Sequence, residues 1–388
     1  MKLLFITPMF DDETYKNILR KTQKVSPGQK FYRLMYEGLL ANGLEIIPIS
    51  FSLNDYREEI VSNSKIRYCF GTGKKSTFSK FKLIYNLVKL ISRNVDKDTK
   101  VICDAESIFG LIASIIVKKI KKIKVITVVT DFPNNVYSYS ASHKKHNKVI
   151  RNLKTKINEI KLHFYRKADA FILLTSYMSD VVAKKNQPWI VTEGFSDSKL
   201  LSKEEEVIPR KGKNIVYAGA LNGKSGIMTL IGAIKRIHNS NISLQIYGSG
   251  NLVDNVIEEG KKDSRITYNG VTTLDEIVNI EKRAFLLINP RPAKEEFNKY
   301  SFPSKTMEYM SSGRPVVTTR LAGIPEEYDR YLFYVDEDEK NMAIQLEKII
   351  QLDEQKLNQK GMNAKKFVLY RKNNIAQAER IKEFIRIL

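Results

Sequence analysis

Residues 289–317 read Asn-Pro-Arg-Pro-Ala-Lys-Glu-Glu-Phe-Asn-Lys-Tyr-Ser-Phe-Pro-Ser-Lys-Thr-Met-Glu-Tyr-Met-Ser-Ser-Gly-Arg-Pro-Val-Val. The apolar run 285–288 just before it predicts a strand ending at Asn289-Pro290. A loop follows. A short helix is predicted to start at 301–303, where proline's missing N–H costs nothing, and to stop at Gly313, which tolerates a left-handed backbone. The next strand is expected at 315–319. Strand, helix, strand is the unit of a parallel sheet.

The same alternation runs outward in both directions. Short Val/Ile/Leu-rich runs are expected as strands at 2–8, 45–51, 65–70, 100–104, 124–131, 170–175 and 190–194. Others are expected at 214–219, 243–248, 265–269, 284–290 and 332–336. Runs such as 125–129 are apolar without alternation, as in strands buried on both faces of a parallel sheet. Periodicity lapses at 195–213, through Ser202 to Glu206 and Pro209-Arg210-Lys211-Gly212. The expected organisation is therefore two doubly wound α/β domains, 1–200 and 201–370, with a C-terminal helix at 371–388 crossing back to the first. Tandem sheets of this kind are expected to bind ligands in a cleft outside their strand carboxyl ends.

A helix N-terminus at such a place offers unpaired N–H groups and partial positive charge, which suits a diphosphate. Lys305 and Glu308 share a face of the 301–313 helix. Lys305 is a candidate to neutralise phosphate, and Glu308 to accept ribose hydroxyls. An ordinary surface Lys–Glu pair is the competing reading. Gly248-Ser249-Gly250 lacks the third glycine of a dinucleotide fingerprint, so a tight βα turn and a nucleotide contact both stand. Asp131 follows a buried strand and is a candidate to orient or deprotonate an acceptor hydroxyl; a turn cap before Pro133 is the alternative. Gly28, in Ser26-Pro27-Gly28-Gln29-Lys30, would admit an acceptor close to the backbone, or merely precede a helix. Asp336-Glu337-Asp338 has spacing that can hold a cation, yet it opens a helical stretch, where capping is expected. His143 and His146 lie in a basic run, and His163 and His238 are expected within helices.

The 302–317 segment resembles the C-terminal pattern of family 4 glycosyltransferases, the large retaining GT-B group, and most of all their bacterial capsule and exopolysaccharide branch. Tyr217-Ala218-Gly219-Ala220-Leu221, Ile246-Tyr247-Gly248-Ser249-Gly250 and Leu321-Ala322-Gly323-Ile324-Pro325-Glu326 match further loops in order. Ile6-Thr7-Pro8 and Val129-Thr130-Asp131-Phe132-Pro133 resemble the acceptor-side loops. The resemblance implies a sugar moved from a nucleoside diphosphate donor, UDP by default, with no metal and no cofactor. It implies donor contacts from Glu308, Ser304, Lys305, Arg291, Gly219, Lys224, Gly248 and Tyr300, and catalytic roles for Lys305, Arg291 and Asp131. The family's first glutamate falls at Tyr300, leaving Glu295 and Glu296 as neighbours. Its phosphate-loop arginine and lysine fall at Ala220 and Ser225, with Lys224 displaced by one residue. Phosphate neutralisation is then expected from Arg291, Lys305 or Lys224.

Composition bounds the setting. Of 388 residues, 43% are hydrophobic and 28% charged, which is globular. Two cysteines, Cys69 and Cys103, make no disulfide framework, and a reduced cytoplasm is expected. The net charge is +22. Its excess sits in residues 1–200, with 35 Lys/Arg against 18 Asp/Glu, compared with 30 against 25 in 201–388. Basic, partly amphipathic stretches at 80–95, 115–124 and 143–167 predict peripheral attachment to an anionic membrane. The expected partners are a nucleoside diphosphate sugar, a lipid-linked or glycan acceptor and that membrane. A nucleic-acid partner is the weaker reading, because no recognition motif accompanies the charge. A nucleotide-sugar epimerase and a non-catalytic GT-B partner protein remain as alternatives.

Overall fold

The computed structural model describes residues 1–22, 28–73, 76–132, 148–201, 212–238 and 241–388. Ser26-Pro27, Pro133, His143, His146 and the polar run 202–206 lie outside the described residues. The chain forms two units, Met1–Phe195 with Asn374–Leu388, and Ser196–Asn373.

The first unit runs β1 (Lys2–Thr7), α1 (Asp12–Thr22), α2 (Gln29–Ala41), β2 (Glu45–Ser52), β3 (Arg67–Phe70), α3 (Thr77–Asn94) and β4 (Lys100–Asp104). It continues through α4 (Ile108–Lys121), β5 (Lys124–Val129), α5 (Lys148–Tyr165), β6 (Ala170–Leu173), α6 (Ser179–Val182) and β7 (Trp189–Val191). Its parallel sheet has the order β3-β2-β1-β4-β5-β6-β7. β1 pairs with β2 from Lys2 against Glu45 and with β4 from Leu3 against Lys100. Residues 3–7 of β1 and 125–129 of β5 are buried, as central strands covered on both faces require.

The second unit runs β8 (Lys213–Ala218), α7 (Ile227–Arg236), β9 (Ile242–Tyr247), α8 (Val253–Lys262), β10 (Ile266–Tyr268) and α9 (Leu274–Arg283). Then come β11 (Leu286–Asn289), α10 (Ser304–Ser311), β12 (Val316–Thr319), β13 (Phe333–Val335), α11 (Glu339–Ile350) and α12 (Glu354–Arg371). Its parallel sheet has the order β10-β9-β8-β11-β12-β13. One core lies against α7 and α11 on one face, and another against α10 and α12 on the other. α9 begins with a capping box, the Thr273 side chain meeting the Glu276 N–H and the Glu276 carboxylate the Thr273 N–H.

α13 (Asn374–Arg386) completes the first unit. Its Ala378, Ile381, Phe384 and Ile385 enter the core beside Leu34, Met35 and Leu39. Gly38 of α2 permits this contact: a Cβ there would lie 2.0 Å from the Asn374 carbonyl oxygen.

Every strand expected from the sequence is present, its ends within three residues of those expected. β5 stops at Val129, so Asp131 lies beyond the strand. The helix expected from 301–303 starts at Ser304; Pro303 is its N-cap, with extended backbone before it. His163 lies in α5, whereas His238 lies just past the end of α7 and is exposed, contrary to expectation.

Candidate active site

The winding of the second sheet reverses between β8 and β11, and an open α/β sheet receives ligands outside the strand carboxyl ends at such a point. Gly219 follows β8 directly. A Cβ built on it would lie 1.4 Å from Lys305 Nζ, so the ammonium fills the space that any side chain here would take. Gly248 follows β9 with φ +130°, and its Cβ would lie 1.9 Å from the Gly219 carbonyl oxygen. The two βα turns close on each other because neither carries a side chain.

α10 delivers the lysine. Its Thr306, Met307, Tyr309 and Met310 are buried. The Tyr309 hydroxyl accepts the Ala218 N–H at 2.8 Å and donates to the Ala218 carbonyl at 3.2 Å, clipping the helix to the end of β8. Asn289 Nδ2 donates to Thr306 Oγ1 at 3.2 Å, a second clip to the end of β11. The other face carries exposed Ser304 and Glu308 and half-buried Lys305. Pro303 offers no side-chain cap to the N–H groups of the first turn.

Lys305 Nζ lies 4.5 Å from the centroid of the Tyr217 ring. Burial lowers its pKa to about 8; Glu308 and Glu281 oppose this, and Arg291 adds to it. The lysine is a cation short of water, the condition in which an entering anion gains most.

The loop after β11 brings a second cation, Arg291, and meets a third, Lys224, from the turn after β8. The Arg291 guanidinium lies 4.4 Å and the Lys224 ammonium 5.0 Å from the centroid of one ring, Phe297. Cations within this range of an aromatic face are attracted to it. Phe297 sits on a 3-10 turn, Glu296–Tyr300, and Tyr300 closes that turn half-buried. The loop is anchored by Glu337, whose Oε2 accepts the Ala293 N–H at 2.7 Å and the Lys294 N–H at 3.1 Å. Asp338 caps α11 through the Asn341 N–H at 2.9 Å. The Asp336-Glu337-Asp338 run therefore anchors and caps. Among the described residues, no His, Cys, Asp or Glu group has an arrangement suited to a metal ion.

The structure thus gathers Gly219, Lys224, Gly248, Arg291, Lys305 and the open face of α10 around the carboxyl ends of β8, β9 and β11. Sequence reading missed Phe297 and the Tyr309 clip. The available signal for Phe297 was an aromatic residue within a loop rich in charge.

Asp131 and Gly28 belong to the first unit. Asp131 is exposed beyond β5, and its Oδ1 accepts the Phe132 N–H at 2.7 Å. Gly28 starts α2 with φ +81° and no side-chain cap. Tyr32, one turn further, donates its hydroxyl to the Asp104 carboxylate at the end of β4. Asp104 also accepts the Ser107 N–H at 2.8 Å and the Glu106 N–H at 3.1 Å. Burial pushes the Asp104 carboxyl up; burial, with Asp104 and Asp131 nearby, does the same to Glu106. Tyr32, Asp104 and Glu106 were not singled out in the sequence.

Residues 212–352 match the protein-family model described as glycosyl transferases group 1. The matched stretch lies within the second unit. All candidate donor residues, from Gly219 to Glu308, lie within it. A search of curated proteins found no match. Among solved structures, a sucrose-phosphate synthase from Thermosynechococcus elongatus is 14% identical, with a TM-score of 0.70 over 100% of this chain and 99% of that one. HepE from Anabaena, solved with UDP, is 13% identical, with a TM-score of 0.68 over 100% of both chains. The lipopolysaccharide outer core galactosyltransferase WaaB is 14% identical, with a TM-score of 0.64 over 100% of this chain and 99% of that one. Two parallel, doubly wound sheets and these neighbours make the fold GT-B.

Proposed function

We propose that the protein is a retaining glycosyltransferase of the hexosyl or N-acetylhexosaminyl type. It takes the sugar from a nucleoside diphosphate donor, UDP first, and gives it to a lipid-linked or glycan acceptor in cell-surface polysaccharide synthesis. The observation that carries the reading is the Lys305 ammonium seated where a Gly219 side chain would be, at the switch point of the second sheet.

As the bond from the anomeric carbon to phosphate breaks, negative charge grows on the leaving diphosphate. Lys305, Arg291 and Lys224 take up that charge, with help from the first turn of α10. The Glu308 carboxylate holds the ribose hydroxyls. Retention follows when the departing phosphate oxygen accepts the proton of an acceptor hydroxyl arriving on the same face; Asp131 then orients that hydroxyl. HepE has been solved with UDP and with UDP-glucose, which supports a uridine donor here. The cytoplasmic leaflet of a membrane is the proposed place of work, where lipid-linked acceptors reside.

The test is calorimetric titration with UDP, GDP and their sugars. UDP should bind, and Lys305→Met should weaken UDP far more than uridine. Equal loss for both ligands, or no nucleoside diphosphate binding at all, would remove the phosphate role. A second reading, a donor-binding partner without turnover, draws on Ala220 and Ser225. The Ser225 hydroxyl donates to the Asn222 carbonyl at 2.7 Å, a turn-forming role in place of a cation. Donor binding with no transfer to any glycan or lipid-linked acceptor would favour it.

A further inference from the structure

α3 carries two opposite faces. Ser79, Leu83, Leu87 and Ile91 recur every fourth residue and are buried, which fixes how the helix lies on the sheet. On the other side Phe78, Phe81 and Tyr85 are 74%, 67% and 66% exposed. Their spacing places the three rings in one stripe. Among the described residues no other helix exposes three aromatic rings. Lys82 and Lys89 fall along the same stripe, with Arg93 beside it, and the helix contains no Asp or Glu. Among the described residues no carboxylate pairs with these three cations. They also line a cavity of about 460 Å³ between α3 and the edge strand β3, a cavity to which Arg57 adds a fourth cation and no residue adds a carboxylate.

The helices after β3, β4 and β5 lie on one face of the sheet, because right-handed crossovers put them there. α3 packs on α4, and α4 on α5. α4 also lacks acidic residues, and it exposes Ile116 and Ile120; α5 exposes Ile157 and Ile160.

We infer that this layer, led by α3, is a docking surface for an anionic phospholipid bilayer. Phe78, Phe81 and Tyr85 enter the headgroup boundary, and Lys82, Lys89 and Arg93 meet lipid phosphates. Rings among cations suit an interface that is apolar on one side and anionic on the other. A second copy of the chain is a poor occupant, since like charge would face like charge. A nucleic acid duplex would use the cations and leave the rings in water. The surface belongs to the first unit, and the inference does not depend on the glycosyl-transfer reading.

The test is co-sedimentation of the full chain with vesicles of phosphatidylcholine alone and of an equimolar mixture with phosphatidylglycerol. Binding should require the anionic lipid and weaken with salt. Phe78→Ser/Phe81→Ser/Tyr85→Ser and Lys82→Glu/Lys89→Glu should each lower partitioning about tenfold or more. All these positions are exposed, so melting curves should match wild type, and UDP titration separately reports the donor site. Three outcomes overturn the inference: wild-type binding that ignores lipid charge, variants that bind like wild type, or no vesicle binding at all. In the last case, a dimer dissolved by the serine substitutions would assign the face to self-association.

Discussion

Lys305 is held at an energetic disadvantage until something negative arrives. Its pKa in the fold, about 8, lies below the ordinary 10.5. Between those values the unfolded chain binds the proton more fully, so this group costs stability below about pH 8 and the cost fades as pH rises toward 10.5. A bound diphosphate reverses the balance by favouring the charged form. UDP binding should therefore take up protons above about pH 8, and its affinity should fall as pH is raised further. Lys305→Met should weaken UDP by about ten- to a hundredfold, the range for one charge-assisted contact, and flatten the pH profile. Calorimetry in buffers of different ionisation enthalpy reads both effects. Glu308 is exposed, so Glu308→Ala should change stability by less than about 0.5 kcal/mol while lowering donor affinity and turnover. Wild-type kinetics in that variant would take Glu308 out of the site. Tyr309→Phe makes the opposite prediction. Removing a buried hydroxyl that serves both polar groups of Ala218 should cost about 1–3 kcal/mol in a denaturant melt.

At the scale of elements, the site is an agreement between two turns and a helix. Two glycines test it in different ways. An alanine at 219 would meet the flexible end of a lysine, so Gly219→Ala should displace Nζ and lose UDP affinity with little loss of stability. An alanine at 248 would meet backbone at φ +130°, so Gly248→Ala should cost about 1–3 kcal/mol and move the whole turn. Chemical denaturation beside UDP titration separates the two outcomes; equal destabilisation would mean that the Lys305 tip is not free to give way. These elements were readable to different depths. β5 and β11 announce themselves because a strand buried on both faces must be apolar at every position. The end of α10 was legible from Gly313, and its start was expected early, at 301–303 in place of Ser304, because proline serves as cap as readily as first helical residue. That Lys305 and Glu308 share the open face of α10 was legible from their spacing. The seat that Gly219 leaves for Lys305 was not, since the two residues are far apart in sequence and no local pattern couples them. The same holds for Phe297 under Arg291 and Lys224, and for Tyr32 against Asp104. Each contact is fixed by tertiary packing.

The whole molecule is two units of which only one is continuous in sequence. The second is a single run, Ser196–Asn373; the first needs Asn374–Leu388 as well. Ending the chain at Asn373 would strip Ile381, Phe384 and Ile385 from the first core. At about 1.5–3 kcal/mol for each large apolar side chain, the loss is roughly 5–9 kcal/mol, comparable with the stability of a typical domain. Such a truncation should leave the second unit resistant to protease while the first is cut rapidly. Mass spectrometry of the fragments reads this directly, and equal protection of both units would show α13 to be dispensable.

Synthesis on the ribosome gives the crossing of α13 a further meaning. Domains generally fold as they emerge, amino end first. Here the ribosome must complete the entire second unit before it releases the strip that covers α2. For that interval the nascent first sheet has an open apolar flank, so folding order in the cell runs against sequence order, with the earlier half finishing last.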